Sequence, residues 1–349
     1  MAQPDGKKGG GGNRPPRVVS GVRPTGGLHL GHLLGALRSW VALQDEAECL
    51  FFIADWHALT TGYEDTSTIA ESGRNMLADW LAAGLDPEKV VIFRQSAVKE
   101  HAELHLLLSM IVPTPWLMRN PTIKEQAREL GLIQSDDEAE MSKINYGLLG
   151  YPILQSADVL IYRAQRVPVG IDQVPHLELM REVARRFNRL YGAVLPEPQA
   201  LLTESPKIPG TDGRKMSKSY GNAVFLSDSA EEVDKKLSRM MTDPRRARRT
   251  DPGDPKDCPA FNLHRVYCTD EEIATVTEGC KTAGIGCLDC KKIMIKHVNA
   301  DLDPIRQRRA ELAEKPDFLA QVLDAGNQRA RSVAQQTMAD VRRVMQLED

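Results

Sequence analysis

Two short motifs far apart in the chain carry groups that could grip a triphosphate: His29-Leu30-Gly31-His32 and Lys215-Met216-Ser217-Lys218-Ser219. Histidines three residues apart share one side of a helix, where both rings can donate to phosphate oxygens as charge develops in an in-line displacement. The first motif follows the turn Gly21-Val22-Arg23-Pro24-Thr25-Gly26-Gly27. A helix opening after such a turn offers unpaired N–H groups and partial positive charge, so it is a natural anion cradle. The second motif sits in a loop over residues 210–221 that has three glycines and few apolar anchors. A mobile loop with two ammonium groups that closes over a leaving pyrophosphate stabilises the transition state more than the bound substrate. Either motif by itself has an ordinary explanation, a histidine pair covering a helix or lysines keeping a loop soluble. Together they point to activation of a carboxylate by ATP.

The elements that must hold these groups follow from hydrophobic spacing. Residues 17–22 form a β-rich run, and Leu28, Leu30, Leu33, Leu34, Leu37 and Val41 then recur at helical intervals. Residues 49–55 predict a buried strand. A helix follows with Ile69, Met76, Leu77, Trp80 and Leu81 on one face and Gly84 as its stop, and residues 90–93 predict the next strand. Alternating strands and helices imply a parallel sheet covered on both faces, which binds ligands beyond the carboxyl ends of its strands. From about 99 to 189 helical patterns dominate, broken by Pro113, Pro115, Pro121 and the acidic stretch at 135–138. Beyond about 228 all is helical: Ser229 and Glu232 make a capping box, and Val333, Val341, Val344 and Met345 mark a last amphipathic helix that packs back. The expected fold is therefore α/β. A Rossmann-like parallel-sheet nucleotide domain spans 17–227, with a helical insertion at about 99–189 and the mobile loop at 210–221. An α-helical C-terminal domain spans 228–349, and residues 1–16 are a disordered tail.

Composition narrows the partners. The 349 residues carry a net charge of −3, so a polyanion must meet a local basic patch rather than a global field. Arg245-Arg246-Ala247-Arg248-Arg249 is the densest candidate, flanked by Asp243, Asp251 and Asp254, which could equally neutralise it; Arg185, Arg186 and Arg189 form a second. No apolar run reaches the roughly 18 residues that span a bilayer, and residues 1–17 lack a signal-peptide core. The expectation is a cytoplasmic protein with no membrane partner.

Two further clusters carry chemistry. If residues 147–163 are helical, Tyr151, Gln155, Asp158 and Tyr162 line one face amid leucines and valines. Such a polar stripe requires partners, either an internal hydrogen-bond network or a ligand. Cys49 belongs to a strand, whereas Cys258, Cys268, Cys280, Cys287 and Cys290 crowd into one stretch. In a cytosolic chain that argues for metal before disulfide, and the spacing leaves zinc and iron–sulfur both open.

The paired motifs match the signatures of class I aminoacyl-tRNA synthetases. Four further segments resemble the tryptophanyl-tRNA synthetase family in particular: Arg23-Pro24-Thr25-Gly26, Ala54-Asp55-Trp56-His57-Ala58, the run from Tyr151-Pro152 to Ala157-Asp158, and the run from Val167-Pro168 to Asp172-Gln173. The resemblance runs from about Val18 to the C-terminus. It implies a Rossmann catalytic domain, a helical anticodon-binding domain, a homodimer, and ligation of L-tryptophan to tRNA(Trp) with ATP and Mg2+. It further implies catalytic roles for His29, His32, Lys215 and Lys218. Contacts to ATP would come from Arg23, Thr25, Gly31, Lys124, Gly170, Asp172, Gln173, Met216 and Ser217. Tryptophan would be bound by Val19, His57, Tyr151, Gln155, Asp158, Val167 and Val169, with Asp158 accepting from the indole N–H, a group that only donates. Asp172 also precedes a helix carrying His176, Leu179, Met180 and Val183, so it could serve as its N-cap. The spacing Cys258-x21-Cys280-x6-Cys287-x2-Cys290 is similar to that of the iron–sulfur branch of the family, which implies a [4Fe-4S] cluster near the anticodon-binding region and leaves Cys268 spare. Tyrosyl-tRNA synthetases carry a similar Tyr, Gln and Asp set, and Gln155 stands where many bacterial tryptophanyl enzymes have methionine. Tyrosine therefore stays the alternative substrate, and a synthetase-derived binding protein the alternative function.

Overall fold

Five short strands make one parallel sheet in the computed structural model, which describes residues 15–202 and 208–348 except for the side chains of Asp172 and Ser219. β1 (Arg17–Val22) lies at the centre, with β2 (Glu48–Ile53) and then β3 (Val91–Arg94) on one side. On the other side lie β4 (Arg166–Val169) and β5 (Gln199–Leu202), and every pairing is parallel. Period-two alternation sends Val18, Phe51 and Ile92 into one apolar layer and Val19, Phe52 and Phe93 into the other. Both faces are apolar, so both must be covered by helices.

After β1 the chain enters α1 (Leu30–His32), passes through a π-helical turn over Leu33–Leu37 and continues as α2 (Arg38–Leu43). Trp40 of this helix stacks on Phe51 of β2, ring centroids 4.2 Å apart. After β2 come α3 (Asp55–Gly62) and α4 (Ile69–Ala82), and Gly84 supplies the positive φ of 112° that stops α4, as its sequence predicts. Beyond β3 lie α5 (Glu100–Ser109), α6 (Thr114–Met118), α7 (Pro121–Glu129), α8 (Glu138–Met141) and α9 (Tyr146–Leu160). Asn120 and Asn145 cap α7 and α9 by accepting from the N–H groups of Thr122 and Leu148.

Here the structure departs from the expected insertion. Its helices stop at Leu160, because residues 166–169 return to the sheet as β4 beside β1. A four-residue strand containing Pro168 has too little alternation and one donor too few to announce itself in sequence. α10 (Val174–Tyr191) follows, capped at Gln173 rather than at Asp172, whose side chain lies outside the described residues.

The remaining helices are α11 (Ala230–Ser238), opened by the predicted Ser229–Glu232 capping box, then α12 (Pro259–Tyr267), α13 (Asp270–Lys281), α14 (Cys287–Ala313) and α15 (Pro316–Val344). α14 is tied to the sheet domain by a bidentate Arg38–Asp301 pair at 2.7 Å. α15 does pack back, along the edge strand β3. A Cβ on Gly326 would fall 1.7 Å from the Ile92 carbonyl oxygen, so helix and strand touch backbone to backbone. Asn327 Oδ1 accepts from the Arg94 N–H at 2.9 Å beside it. Among the described residues no helix is long and apolar enough to cross a membrane. The expected tail falls almost wholly at residues 1–14, outside the described residues.

Candidate active site

The strand order turns back between β1 and β4, which opens a crevice beyond their carboxyl ends. The Arg23–Gly27 turn leaves β1 there, and Gly170 leaves β4 to open the short helical turn Ile171–Gln173. Ala54–His57 leaves β2 and Gln95 leaves β3 on the same side, because the strands are parallel.

The histidine motif is locked by its own backbone. Gly31 donates its N–H to His29 Nδ1 at 3.1 Å, and the His29 N–H donates to His32 Nδ1 at 3.2 Å. With Nδ1 accepting in both rings, each neutral imidazole carries its proton on Nε2, leaving one donor apiece. Burial pushes His29 down to about 4 and His32 to about 3, and nearby Lys218 adds to both shifts. Near neutral pH both rings are therefore neutral, each with one donor. Gly31 leaves room for this packing: a Cβ there would stand 3.0 Å from the His29 ring, so the ring would have to give way.

The second motif folds onto the first. Lys218 Nζ donates to the Thr25 carbonyl at 2.9 Å and lies 3.4 Å from where a Cβ on Gly26 would sit. Burial pushes Lys218 down to about 8, while Asp79 pulls the other way. Lys215 is exposed. The loop has more anchors than its composition suggests. Met216 is buried in the layer that holds Leu28 and Val224, and buried Asn222 donates to Asp212 Oδ1 at 2.7 Å and to the Lys215 carbonyl at 3.1 Å. Asn222 Oδ1 accepts from the Ser217 N–H at 2.8 Å. A third clamp holds the start of α1: buried Asp79 on α4 accepts from the Leu28 N–H at 3.4 Å and from Arg309 Nε of α14 at 2.6 Å. Burial outweighs the pull of Arg309, so the Asp79 carboxyl lies above its ordinary value.

The polar stripe on α9 forms as its spacing predicts and divides between two networks. Asp158 is fully buried and accepts from His57 Nε2 at 2.8 Å, His101 Nδ1 at 2.5 Å, and Gln95 Nε2 at 2.8 and 2.9 Å. Burial alone would raise its pKa, but the hydrogen bonds from His101 and His57 hold it well below the usual carboxylate range. His101 Nε2 meets the Tyr162 hydroxyl at 2.6 Å. Tyr151 belongs to the other network, its hydroxyl 2.9 Å from His176 Nε2, and Gln155 lies half-buried between them. The expected open acceptor is thus an occupied one. Both Asp158 oxygens are in use, and an incoming N–H must displace an existing donor.

Other expected residues divide likewise. Val19, Val167 and Val169 are buried in the layer that also holds Ala157 of α9. Arg23 and Thr25 are exposed at the mouth of the turn, and Gln173 is half-buried. Lys124 is held by Asp136 at 3.3 Å on the insertion. Sequence reasoning missed Gln95, His101, Asn222 and Asp79. Gln95 had a signal, since it follows a predicted strand at its carboxyl end. A single buried histidine on an apolar helix such as His101 has none.

Cys258, Cys280, Cys287 and Cys290 line one pocket, with Arg246 and Lys291 in its wall; Cys268 does not line it. Four cysteine thiols are a donor set that suits zinc and an iron–sulfur cluster alike. In the basic run, Arg245 is paired with Asp243 and Asp257 and Arg246 donates to the carbonyls of Arg249 and Ile285, so Arg248 and Arg249 are its outward members. Arg185 is paired with Glu182 and Glu197.

Residues 12–303 match the family described as tRNA synthetases class I (W and Y). The tryptophan–tRNA ligase of Thermotoga maritima is 53% identical over 333 residues, covering 95% of this chain and 99% of the relative. That of Aquifex aeolicus is 47% identical over 394 residues, covering 95% and 100%. The crystal structure of tryptophanyl-tRNA synthetase from Campylobacter jejuni, complexed with ADP and tryptophan, superposes with a TM-score of 0.82 at 32% identity, covering 94% of this chain and 99% of that one.

Proposed function

We propose, from the premise that this chain belongs to the class I tRNA synthetases for tryptophan and tyrosine, how its cleft carries out ATP-dependent ligation of tryptophan to tRNA. The chain is an enzyme, a tryptophan–tRNA ligase. The observation that carries the assignment of roles is the 2.9 Å contact between Lys218 and Thr25, which brings the two motifs to one crevice. ATP with Mg2+ lies across the turn Arg23–Gly27, its phosphates facing the Nε2–H groups of His29 and His32. Arg23, Thr25, Gly31, Gly170, Asp172, Gln173, Met216 and Ser217 bound the nucleotide, and Lys124 reaches it only by leaving Asp136. The tryptophan carboxylate attacks the α-phosphorus, the bond to the bridging oxygen breaks, and pyrophosphate leaves toward Lys215 and Lys218. Neutral histidines donate without competing for the Mg2+-bound charge, while the lysines supply the countercharge. The adenylate then passes its acyl group to the tRNA.

The indole lies between Tyr151, Gln155 and the valines Val19, Val167 and Val169. Its N–H takes the place of the His57 Nε2–H on Asp158, while His101 and Gln95 keep the carboxylate in position. A phenol O–H could donate to Asp158 as well, so the test is ATP–pyrophosphate exchange with tryptophan and tyrosine side by side. Exchange with tryptophan is expected; exchange with tyrosine alone would overturn the pocket assignment, and exchange with neither would overturn catalysis.

We further infer that the four-thiol cavity holds a [4Fe-4S] cluster. Its support is the gathering of the four thiols around one pocket, with the cationic Arg246 and Lys291 in the wall, which suit an anionic cluster–thiolate group. Cys258, Cys280, Cys287 and Cys290 would ligate it. Its presence beside the exposed Arg248 and Arg249 supports an RNA-facing surface there. A homodimer is supported by the exposed Leu106, Met110 and Tyr146, which sit on α5 and α9 or just after and stand ready for a second copy.

A further inference from the structure

Beside the four-thiol cavity, three helices converge on groups that the reaction does not use. Cys268 ends α12, Glu272 lies in the first turn of α13 and His297 lies on α14, and one ligand atom of each falls within 4.8 Å of the other two. His297 Nε2 is 2.8 Å from Glu272 Oε2 and 3.0 Å from Oε1. The Thr269 N–H donates to that same Glu272 Oε2 at 3.0 Å, which helps to hold the carboxylate in place. His264 Nδ1 lies 3.2 Å from Cys268 Sγ and does the same for the thiol. All three ligand residues are half-buried, so an ion and a water ligand can reach them.

We propose that Cys268, Glu272 and His297 form a second metal site, adjoining the four-thiol cavity through His264, whose Nε2 lies 3.3 Å from Cys290 Sγ, that takes a single divalent cation of the zinc type. One sulfur, one imidazole nitrogen and one carboxylate oxygen are the ligand types zinc accepts, at about 2.0–2.3 Å, with water as fourth ligand. Hard cations such as Mg2+ and Ca2+ avoid thiolate. The supporting contacts from Thr269 and His264 are the kind of outer-shell bonds that orient ligands at metal sites. On binding, the Cys268 S–H bond breaks, its proton passes to water and the sulfur bonds the metal; the proton that His297 Nε2 donates to Glu272 moves through solvent to Nδ1, and the freed Nε2 lone pair bonds the ion. The result is a staple across α12, α13 and α14, the helices that carry or immediately follow the four cavity thiols.

The test compares zinc per chain in the full-length wild type, Cys268→Ser and His297→Ala, each purified anaerobically, equilibrated with excess Zn2+ and dialysed. Iron and sulfide are counted in the same samples, so that zinc lost from the four-thiol cavity is told apart from zinc lost at Cys268 and His297. The wild type is expected to retain one more zinc per chain than either variant, with the same far-ultraviolet circular dichroism. Equal zinc in all three overturns the proposal. Glu272→Gln keeps the capping box and guards against a folding artefact; it is expected to weaken zinc binding at least tenfold, and unchanged affinity would also overturn the site.

Discussion

His29 and His32 each present one Nε2–H because their Nδ1 atoms are already taken by backbone N–H groups. Removing either donor, as in His29→Ala or His32→Ala, is expected to slow ATP–pyrophosphate exchange by about 10²–10³-fold, with little change in the Kd for tryptophan. Both rings are neutral far below pH 7 and contribute no pH dependence near neutrality. Lys218 does. Its pKa is depressed to about 8, so the free enzyme loses that charge as pH rises through about 8 rather than through the ordinary lysine value of about 10.4. kcat/KM for ATP should fall over that range, and Lys218→Arg should move the fall upward. A profile flat up to the ordinary lysine range would refute the assignment. These residues were legible because each motif is contiguous in the chain. Gln95 and His101 were not, since only folding brings them to Asp158.

Element by element, legibility followed length and pattern. β1, the α4 face and the α11 cap could all be written from the sequence, whereas β4 and β5, four residues each, carry almost no alternation. The clamp from Arg309 through Asp79 to the Leu28 N–H joins α14, α4 and the entry to α1, and no local pattern announces it. Arg309→Met leaves the Asp79 carboxylate buried without its countercharge. The expected cost is about 3–5 kcal/mol in denaturant unfolding at neutral pH, and Asp79→Asn in the same background should recover most of it. The sign with pH is fixed: the folded-state pKa of Asp79 lies above its unfolded value, so the Arg309→Met deficit shrinks as pH falls and the carboxyl takes up a proton. A deficit that grows on acidification would disprove the clamp. Exchange activity should fall along with stability, because the Leu28 N–H is one residue from His29.

Across the whole molecule, the sequence foretold that the last helix returns to the catalytic domain, but not where it lands. Its landing on β3 leaves no room for a side chain at Gly326. Gly326→Ala is expected to cost about 3 kcal/mol by forcing α15 off the strand, read as a lowered Tm, and to disturb the sheet domain as much as the helical one. An unchanged Tm would show that the contact yields easily. This arrangement also has a bearing on synthesis. A chain emerging from the ribosome builds β1 to β5 long before α15, so the β3 edge stays open until nearly the last residues are made. During that interval the half-made protein carries an unpaired strand edge, the feature that invites pairing with another chain. A chain halted before residue 316 is therefore expected to be prone to self-association as well as inactive, because the final helix is what covers that edge in the complete fold.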